Sequence, residues 1–321
     1  MHLKGAKLVR QFNRTTIHCI LAIVLTSASL AQSQEDAITF DDFLQTGEQW
    51  VQENIDPNVL RSLNDPNQQK VLQLLNNLQQ QLQGEYVVDL ASLKEAATAV
   101  LPLLETYDET RPYAVWLKTR LDYFELADQF KRTFPPPKVE PNQPPKPIPN
   151  PGPEVERKEW QKQIEKRPLL RGSESYVDRL KPIFATQEVP KELVWLAEVE
   201  SSFDPLVRSP AGAAGLFQLM PRTAKSYGLS LWPIDERLQP EKNAEAAARY
   251  LKYLHGEFKD WPLALAAYNA GEGRVRNLLS LYKTQSFDKI ATHLPAETQM
   301  YVPKVNATLL RREGVTLAQL P

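Results

Sequence analysis

One glutamate stands on the apolar stripe of a helix. In the segment 190–201, Leu193, Leu196 and Ala197 recur at helical spacing. Position 200 falls seven residues after the first and four after the second, on the same face. It is Glu200. An ionised carboxylate is costly to bury without a partner, so such a group raises its pKa and keeps its proton toward neutral pH. The helix C-terminus, with its partial negative charge, works in the same direction. A carboxyl placed this way has what a general acid requires. The alternative is a glutamate that turns to solvent at the helix end or pairs with an arginine such as Arg208. Ser201-Ser202-Phe203-Asp204-Pro205 breaks the helix, with Asp204 as a turn residue before Pro205. The run from Ser209 through Gly212 and Gly215 to Pro221 follows, and its small residues permit close approach of a backbone or a ligand. Within it, Gln218 is an amide among apolar neighbours, suited to hydrogen-bonding. Ala266-Ala267-Tyr268-Asn269-Ala270-Gly271-Glu272-Gly273 ends another helix with a phenol and an amide. Pro295-Ala296-Glu297-Thr298-Gln299-Met300-Tyr301-Val302 sets a second carboxylate beside a second phenol.

These groups need helices to hold them. Pro190 to Ser201 reads as one helix started at Val189-Pro190, and Pro240 to Phe258 as a second with Ala247, Tyr250, Leu251, Leu254 and Phe258 inward. Pro262 to Asn269 reads as a third, stopped by Gly271 and Gly273, and Val275 to Tyr282 as a fourth. Alternating strand patterns are scarce, so the fold class expected is mainly α. Upstream, Gln32 to Phe134 carries 17 Asp/Glu against 8 Lys/Arg, a net of −9. Val71, Leu75, Leu78 and Leu82 form one helical stripe there, and Tyr113, Trp116, Leu117, Leu121 and Phe124 another. A small helical bundle with these stripes as its core is expected, with a partner-docking or spacer module as the alternative. Ten of the nineteen residues in 135–153 are proline, which points to an extended, semi-rigid spacer of at most ~60 Å. From 135 onward the chain carries 26 Lys/Arg and 22 Asp/Glu, a net of +4.

The whole chain has 321 residues, net charge −1, one cysteine and four histidines. No basic field points to nucleic acid. No Cys-rich or His-rich metal centre can be built, and no HExxH or EF-hand pattern occurs, so no cofactor or metal is expected. Lys4, Lys7, Arg10 and Arg14 precede an apolar run from Ile17 to Leu25 and small residues through Ala31. Residues 1–31 therefore read as a secretory signal peptide, because the apolar stretch falls short of the ~20 residues that span a bilayer. Cys19 is followed by apolar residues, which argues against a lipoprotein site. After cleavage no stable transmembrane anchor remains.

Four segments together carry a resemblance: Glu200-Ser201; Gly215-Leu216-Phe217-Gln218-Leu219-Met220-Pro221; Ala267-Tyr268-Asn269-Ala270-Gly271; and Glu297-Thr298-Gln299-Met300-Tyr301-Val302. From about Tyr176 to Val305 the chain resembles the catalytic domain of the soluble-lytic-transglycosylase family, most closely its membrane-bound transglycosylase D branch. The resemblance implies a goose-type-lysozyme-like fold and says nothing of residues 32–153; with the composition read above, the expected domain order is signal peptide (1–31), acidic helical domain of unknown role (32–134), Pro-rich linker (135–153) and catalytic domain (154–321). It implies an exported enzyme of the periplasm or cell envelope that acts on peptidoglycan glycan strands. Such enzymes cleave the β-1,4 bond between N-acetylmuramic acid and N-acetylglucosamine and leave 1,6-anhydro ends. Glu200 would be acid and then base, with the 2-acetamido group assisting. By the same resemblance, Ser209 and Gln218 contact the muramyl sugar, Met220 packs at the cleft wall, and the Tyr268 hydroxyl steers the catalytic carboxylate. Asn269 begins the turn that holds it, and Glu297 and Tyr301 form a supporting pair. Phe217 departs from the Trp or Met of many relatives and should reshape the cleft wall. Trp195, Trp232 and Trp261 are expected in the core, with stacking on sugar rings as the alternative. No wall-binding repeat is evident after Val305, so retention on the wall falls to the cleft, residues 32–134 or a protein partner. The rivals are a goose-type muramidase on the same fold, and a non-catalytic wall-binding module.

Overall fold

The computed structural model describes residues 66–106, 108, 110–134 and 147–321. Residues 1–31, where a signal peptide is expected, residues 32–65 and most of the Pro-rich run lie outside the described residues. Twelve α-helices occur among those described: α1 (Pro66–Leu82), α2 (Lys94–Thr106), α3 (Arg111–Thr133), α4 (Pro153–Glu165), α5 (Ser173–Thr186), α6 (Leu196–Ser201), α7 (Pro221–Ser226), α8 (Pro240–Phe258), α9 (Trp261–Ala270), α10 (Glu272–Leu281), α11 (Phe287–Ile290) and α12 (Ala296–Glu313). Strand-like pairing among them is limited to two isolated bridges, Arg208 with Ala214 and Ala214 with Leu219. The mainly α class holds.

Local chemistry accounts for the helix ends. Asp260 caps α9 by accepting from the Leu263 N–H at 2.8 Å, with Pro262 in the first turn. Gly271, at φ +88°, ends it. Gly314, at φ +69°, ends α12. The expected helix 190–201 is a 3-10 turn over Lys191–Trp195 that passes into α6.

Two cores meet on α12. Leu75, Leu78, Leu82, Trp116, Leu117, Phe124, Trp160 and Ile164 form one, and Ala296, Met300 and Ala307 join it from α12. Tyr301, Val302, Val305 and Leu309 of the same helix belong to the other, with Leu193, Leu196, Leu251 and Leu265. A helix apolar on both faces must be covered on both, and every residue from Leu294 to Val305 is buried. The two upstream stripes are thus core, which disfavours the docking alternative for them.

Composition divides the chain at 135–153, but the packing does not. Residues 65–321 form one compact unit. α3 is fixed to α12 by the Lys304 ammonium, which donates to the Thr119 carbonyl at 2.8 Å and the Asp122 carboxylate at 2.9 Å. The loop after α1 is stitched to the start of α12, where Ala296 N–H donates to the Gly84 carbonyl at 2.7 Å and the Gln299 amide to the Glu85 carbonyl at 3.0 Å.

Candidate active site

α6 is six residues long, and two glutamates on it meet different partners. Glu198 takes a bidentate pair from Arg312 of α12, both contacts at 2.9 Å. That pair, with the Arg312 guanidinium over the Trp195 ring at 5.8 Å, clamps α6 to α12. Two residues on, and so about 200° round the helix, stands Glu200.

Glu200 is only 4% exposed. Its Oε1 accepts from the Tyr301 hydroxyl at 2.8 Å. Its Oε2 lies 3.8 Å from Nη2 of Arg120, on α3. Burial pushes the carboxyl up to about 7, against the opposing pull of Arg120 and the Tyr301 hydrogen bond. Arg208, the arginine named from sequence as a partner, instead pairs with Asp235 at 3.2 Å.

Arg120 is shared. Its Nε and Nη2 reach Glu297 Oε1 at 3.2 and 3.1 Å, and its Nη1 donates to the Glu200 carbonyl at 3.2 Å. Glu297 Oε2 accepts from the Gln83 amide at 3.4 Å. So Glu297 orients an arginine and an amide of the upstream segment, and its link to Tyr301 runs through Arg120 and Glu200. Arg120 went unnoticed in the sequence, although the signal was present. It lies four residues after Trp116, three after Leu117 and four before Phe124, on an apolar stripe as Glu200 does.

The two tyrosines divide the work differently from the expectation. Tyr301 holds Glu200. Tyr268, half-buried, donates to the Phe217 carbonyl at 2.6 Å. Proximity to the Glu200 charge and burial both push the two phenols well above their ordinary value, burial most. They remain neutral donors at physiological pH. Loss of the Tyr301 hydroxyl removes a bond that favours the Glu200 anion. In Tyr301→Phe the Glu200 carboxyl therefore titrates about one pH unit higher. Carboxyl NMR titration of the labelled protein checks this, and an unmoved or lower titration contradicts it.

The loop from Val207 to Met220 wraps around two buried side chains. Arg237 donates to the carbonyls of Gly212 at 2.8 Å and Leu219 at 3.1 Å, and Asn243 Oδ1 accepts from the Phe217 N–H at 2.8 Å. The Ser201 hydroxyl lies 2.8 Å from the Leu216 carbonyl and so ties the helix carrying Glu200 to this loop. Gln218 takes a left-handed φ of +47°. Its amide nitrogen donates to the Val207 and Gly215 carbonyls at 3.1 and 3.0 Å, while its buried Oε1 has no partner. Ser209, buried, accepts from the Ala213 N–H at 2.9 Å through its hydroxyl oxygen. Met220 is 43% exposed, so it is not core. Asn269 accepts from the Thr298 hydroxyl at 2.6 Å and so links α9 to α12. Asp204 accepts from the Leu206 N–H at 2.8 Å, which makes the expected turn.

Two expectations are corrected here. Phe217 is fully buried, 5.3 Å from the ring of Phe184, so it is core and only its carbonyl faces Tyr268. Trp195 and Trp261 are buried, but Trp232 is 66% exposed on the loop before α8. No group of three or more His, Cys, Asp or Glu among the described residues is placed to hold a metal ion. No helix among them is long and apolar enough to cross a membrane.

Residues 184–291 match the family model described as Transglycosylase SLT domain. Over 125 residues the chain is 42% identical to membrane-bound lytic murein transglycosylase D of Escherichia coli (strain K12), covering 38% of this chain and 28% of that protein. Over 159 residues it is 34% identical to the soluble lytic murein transglycosylase of the same strain, covering 46% and 24%. The crystal structure of the 70 kDa soluble lytic transglycosylase from Escherichia coli aligns at a TM-score of 0.41 and 21% identity, covering 87% of this chain and 42% of that one. The chain thus spans about a quarter of the length of the curated relatives it matches. The matched segment falls within the Tyr176–Val305 stretch that carries the four motifs.

Proposed function

We propose that this chain is an exported peptidoglycan lytic transglycosylase. In this reading it cleaves the β-1,4 bond between N-acetylmuramic acid and N-acetylglucosamine and leaves 1,6-anhydro ends. The observation that carries the reading is the buried carboxyl of Glu200, raised to about 7 and held by Tyr301. The match of residues 184–291 to the SLT domain supports it. A carboxyl poised near the working pH serves both directions of proton transfer. With Oε1 accepting from Tyr301, the transferable proton sits on Oε2. Glu200 donates it to the leaving glycosidic oxygen as the sugar C1–O bond breaks. The resulting carboxylate then takes the proton of the C6 hydroxyl as that oxygen bonds to C1. One carboxyl is regenerated, and no water is consumed.

The occupied state of the other acids favours this reading over a muramidase. A hydrolase on two carboxyls needs a second one to activate water. Glu297 has one oxygen on Arg120 and the other on Gln83, and Asp204 is spent on its own turn. In this reading Ser209, Gln218 and Met220 of the 207–220 loop, with Asn269 at the end of α9, line the sugar site. Export through residues 1–31, the periplasm as the site of action and a wall-protein partner for residues 32–134 belong to the same proposal.

The test is release of soluble muropeptides from purified sacculi by the full chain. Release with cleaved glycosidic bonds is expected. Retained binding to sacculi without release would leave a wall-binding module and overturn the enzymatic reading.

A further inference from the structure

Besides Tyr301, the polar side chain that reaches the reactive carboxyl from outside the SLT match is Arg120. It lies outside residues 184–291 and comes from a helix whose surroundings are acidic. We propose that Arg120 is a positioning residue of the Glu200 site. It acts as the shared counter-cation of Glu200 and Glu297, so that α3 and the segment around it are part of the catalytic unit. This rests on the reading of Glu200 as the general acid.

Geometry comes first. Arg120 is 6% exposed, and the Glu200 and Glu297 side chains beside it are each 5% exposed. A lone guanidinium so deep is costly, and it is held here by three kinds of contact. Two of its nitrogens reach Glu297 Oε1, one reaches the Glu200 backbone carbonyl, and the plane lies 5.3 Å from the Trp116 ring centroid. Nη1 also donates to the Thr119 hydroxyl oxygen at 2.6 Å. The carbonyl contact fixes the last turn of α6, and therefore the direction in which Glu200 points. A lysine could not make these contacts together, because it carries one charge point and no fork.

Charge balance comes second. Two carboxylates and one guanidinium leave a net negative charge in a dry site, whereas one shared proton makes the triad neutral. Arg120 sits closer to Glu297, at 3.1 Å, than to Glu200 Oε2, at 3.8 Å, so it offsets the Glu200 charge only in part, and burial keeps that carboxyl raised. The remaining titratable groups around the triad are three phenols and one lysine. Tyr123 of α3, Tyr301 of α12 and Tyr268 of α9 are phenols pushed well up, chiefly by burial. Lys304 of α12 shares the Asp122 carboxylate with Arg167, both at 2.9 Å, and its charge adds a smaller pull on Glu200 in the same direction as Arg120.

Docking of α3 does not depend on Arg120 alone. Lys304 with Thr119 and Asp122, and the apolar core around Trp116 and Phe124, hold the helix independently. An Arg120 variant can therefore fold.

The experiment uses the full chain with Arg120→Gln, Arg120→Lys and, on the same helix, Lys118→Ala, whose exposed pair with Glu105 contributes little. Two quantities are read: kcat and KM on sacculi across pH, and the Glu200 carboxyl titration by NMR, assigned with Glu200→Gln. Arg120 favours the Glu200 anion, so its removal raises the titration and moves the alkaline limb of kcat/KM to higher pH. Arg120→Gln is expected to lower kcat about 10- to 100-fold with KM nearly unchanged and to move the limb up by about one pH unit. Arg120→Lys recovers part of the limb position but not the full kcat, and Lys118→Ala changes neither. A folded Arg120→Gln with an unmoved limb and an unmoved Glu200 titration overturns the proposal, whatever its thermal stability. Should Arg120→Gln fail to fold, Arg120→Lys decides, since wild-type kcat with the charge but without the fork would equally overturn it. If the wild-type chain releases nothing from sacculi, the general-acid reading fails, and the carboxyl titration alone still decides whether Arg120 governs Glu200.

Discussion

Glu200→Gln removes turnover on sacculi by about 10³-fold or more while leaving the fold intact. Gln keeps the shape and can still accept from Tyr301, but it has no proton to give to a leaving oxygen and cannot take one from the C6 hydroxyl. The same substitution has an opposite effect on stability. The carboxyl titrates at about 7 in the folded chain against an ordinary 4.5. Between those values the folded state binds the extra proton. Glu200 therefore costs nothing below pH 4.5 and destabilises progressively as pH rises to about 7. Gln, which mimics the protonated form, removes that penalty. Above pH 7 the variant should be more stable by about 3 kcal/mol, and at pH 4 no more stable than wild type. Thermal unfolding of both proteins at pH 4 and pH 8.5 reads the difference. Equal unfolding temperatures at both pH values would mean that Glu200 is not held in its raised state.

The second large effect falls on the loop that carries Gln218. Gly215 sits at φ +85°, and a Cβ added there would lie 1.9 Å from the Arg237 carbonyl oxygen and 2.9 Å from the Asn243 amide nitrogen. The obstacle is backbone, and Arg237 is itself fully buried, so nothing nearby yields cheaply. Gly215→Ala should cost about 3 kcal/mol or more, lowering the melting temperature by roughly 6–12 °C. Because Ser201 is joined to this loop through the Leu216 carbonyl, the end of α6 shifts as well. Activity at temperatures where the variant is still folded should fall with it. Gly273→Ala is the control. Nothing lies within 4 Å of its Cβ position inside α10, and a gain of about 0.5 kcal/mol is expected there from reduced freedom of the unfolded chain. Equal stability of Gly215→Ala and wild type would contradict the close packing of the loop on Arg237.

Periodicity located Glu200, because a carboxyl on an apolar stripe is a local conflict visible in the sequence. The same rule applied to α3 finds Arg120, since position 120 shares the stripe of Trp116, Leu117 and Phe124. What obscured it was the net charge of −9 over residues 32–134, an average carried mostly by residues 32–65 that says nothing of the buried face of α3. Composition likewise marked a break at the prolines, whereas the apolar stripes on either side of it share a core with Met300 and Ala307. The choice between Tyr268 and Tyr301 as the phenol on Glu200 was not legible from motif order. It depends on where α9 and α12 cross α6, a long-range fact. Phe217 shows the same limit, because the loop turns at Gln218 and sends the ring into the core beside Phe184.

The central claim is that one carboxyl, Glu200, completes the cycle without water. The most direct measurement digests purified sacculi with the full chain in isotopically heavy water and identifies each new glycan end by mass. The account predicts anhydro ends, one water lighter than hydrolysed ends and free of heavy oxygen, that vanish with Glu200→Gln. Reducing ends carrying the heavy oxygen would contradict it and make the chain a hydrolase with a second acid still to be found.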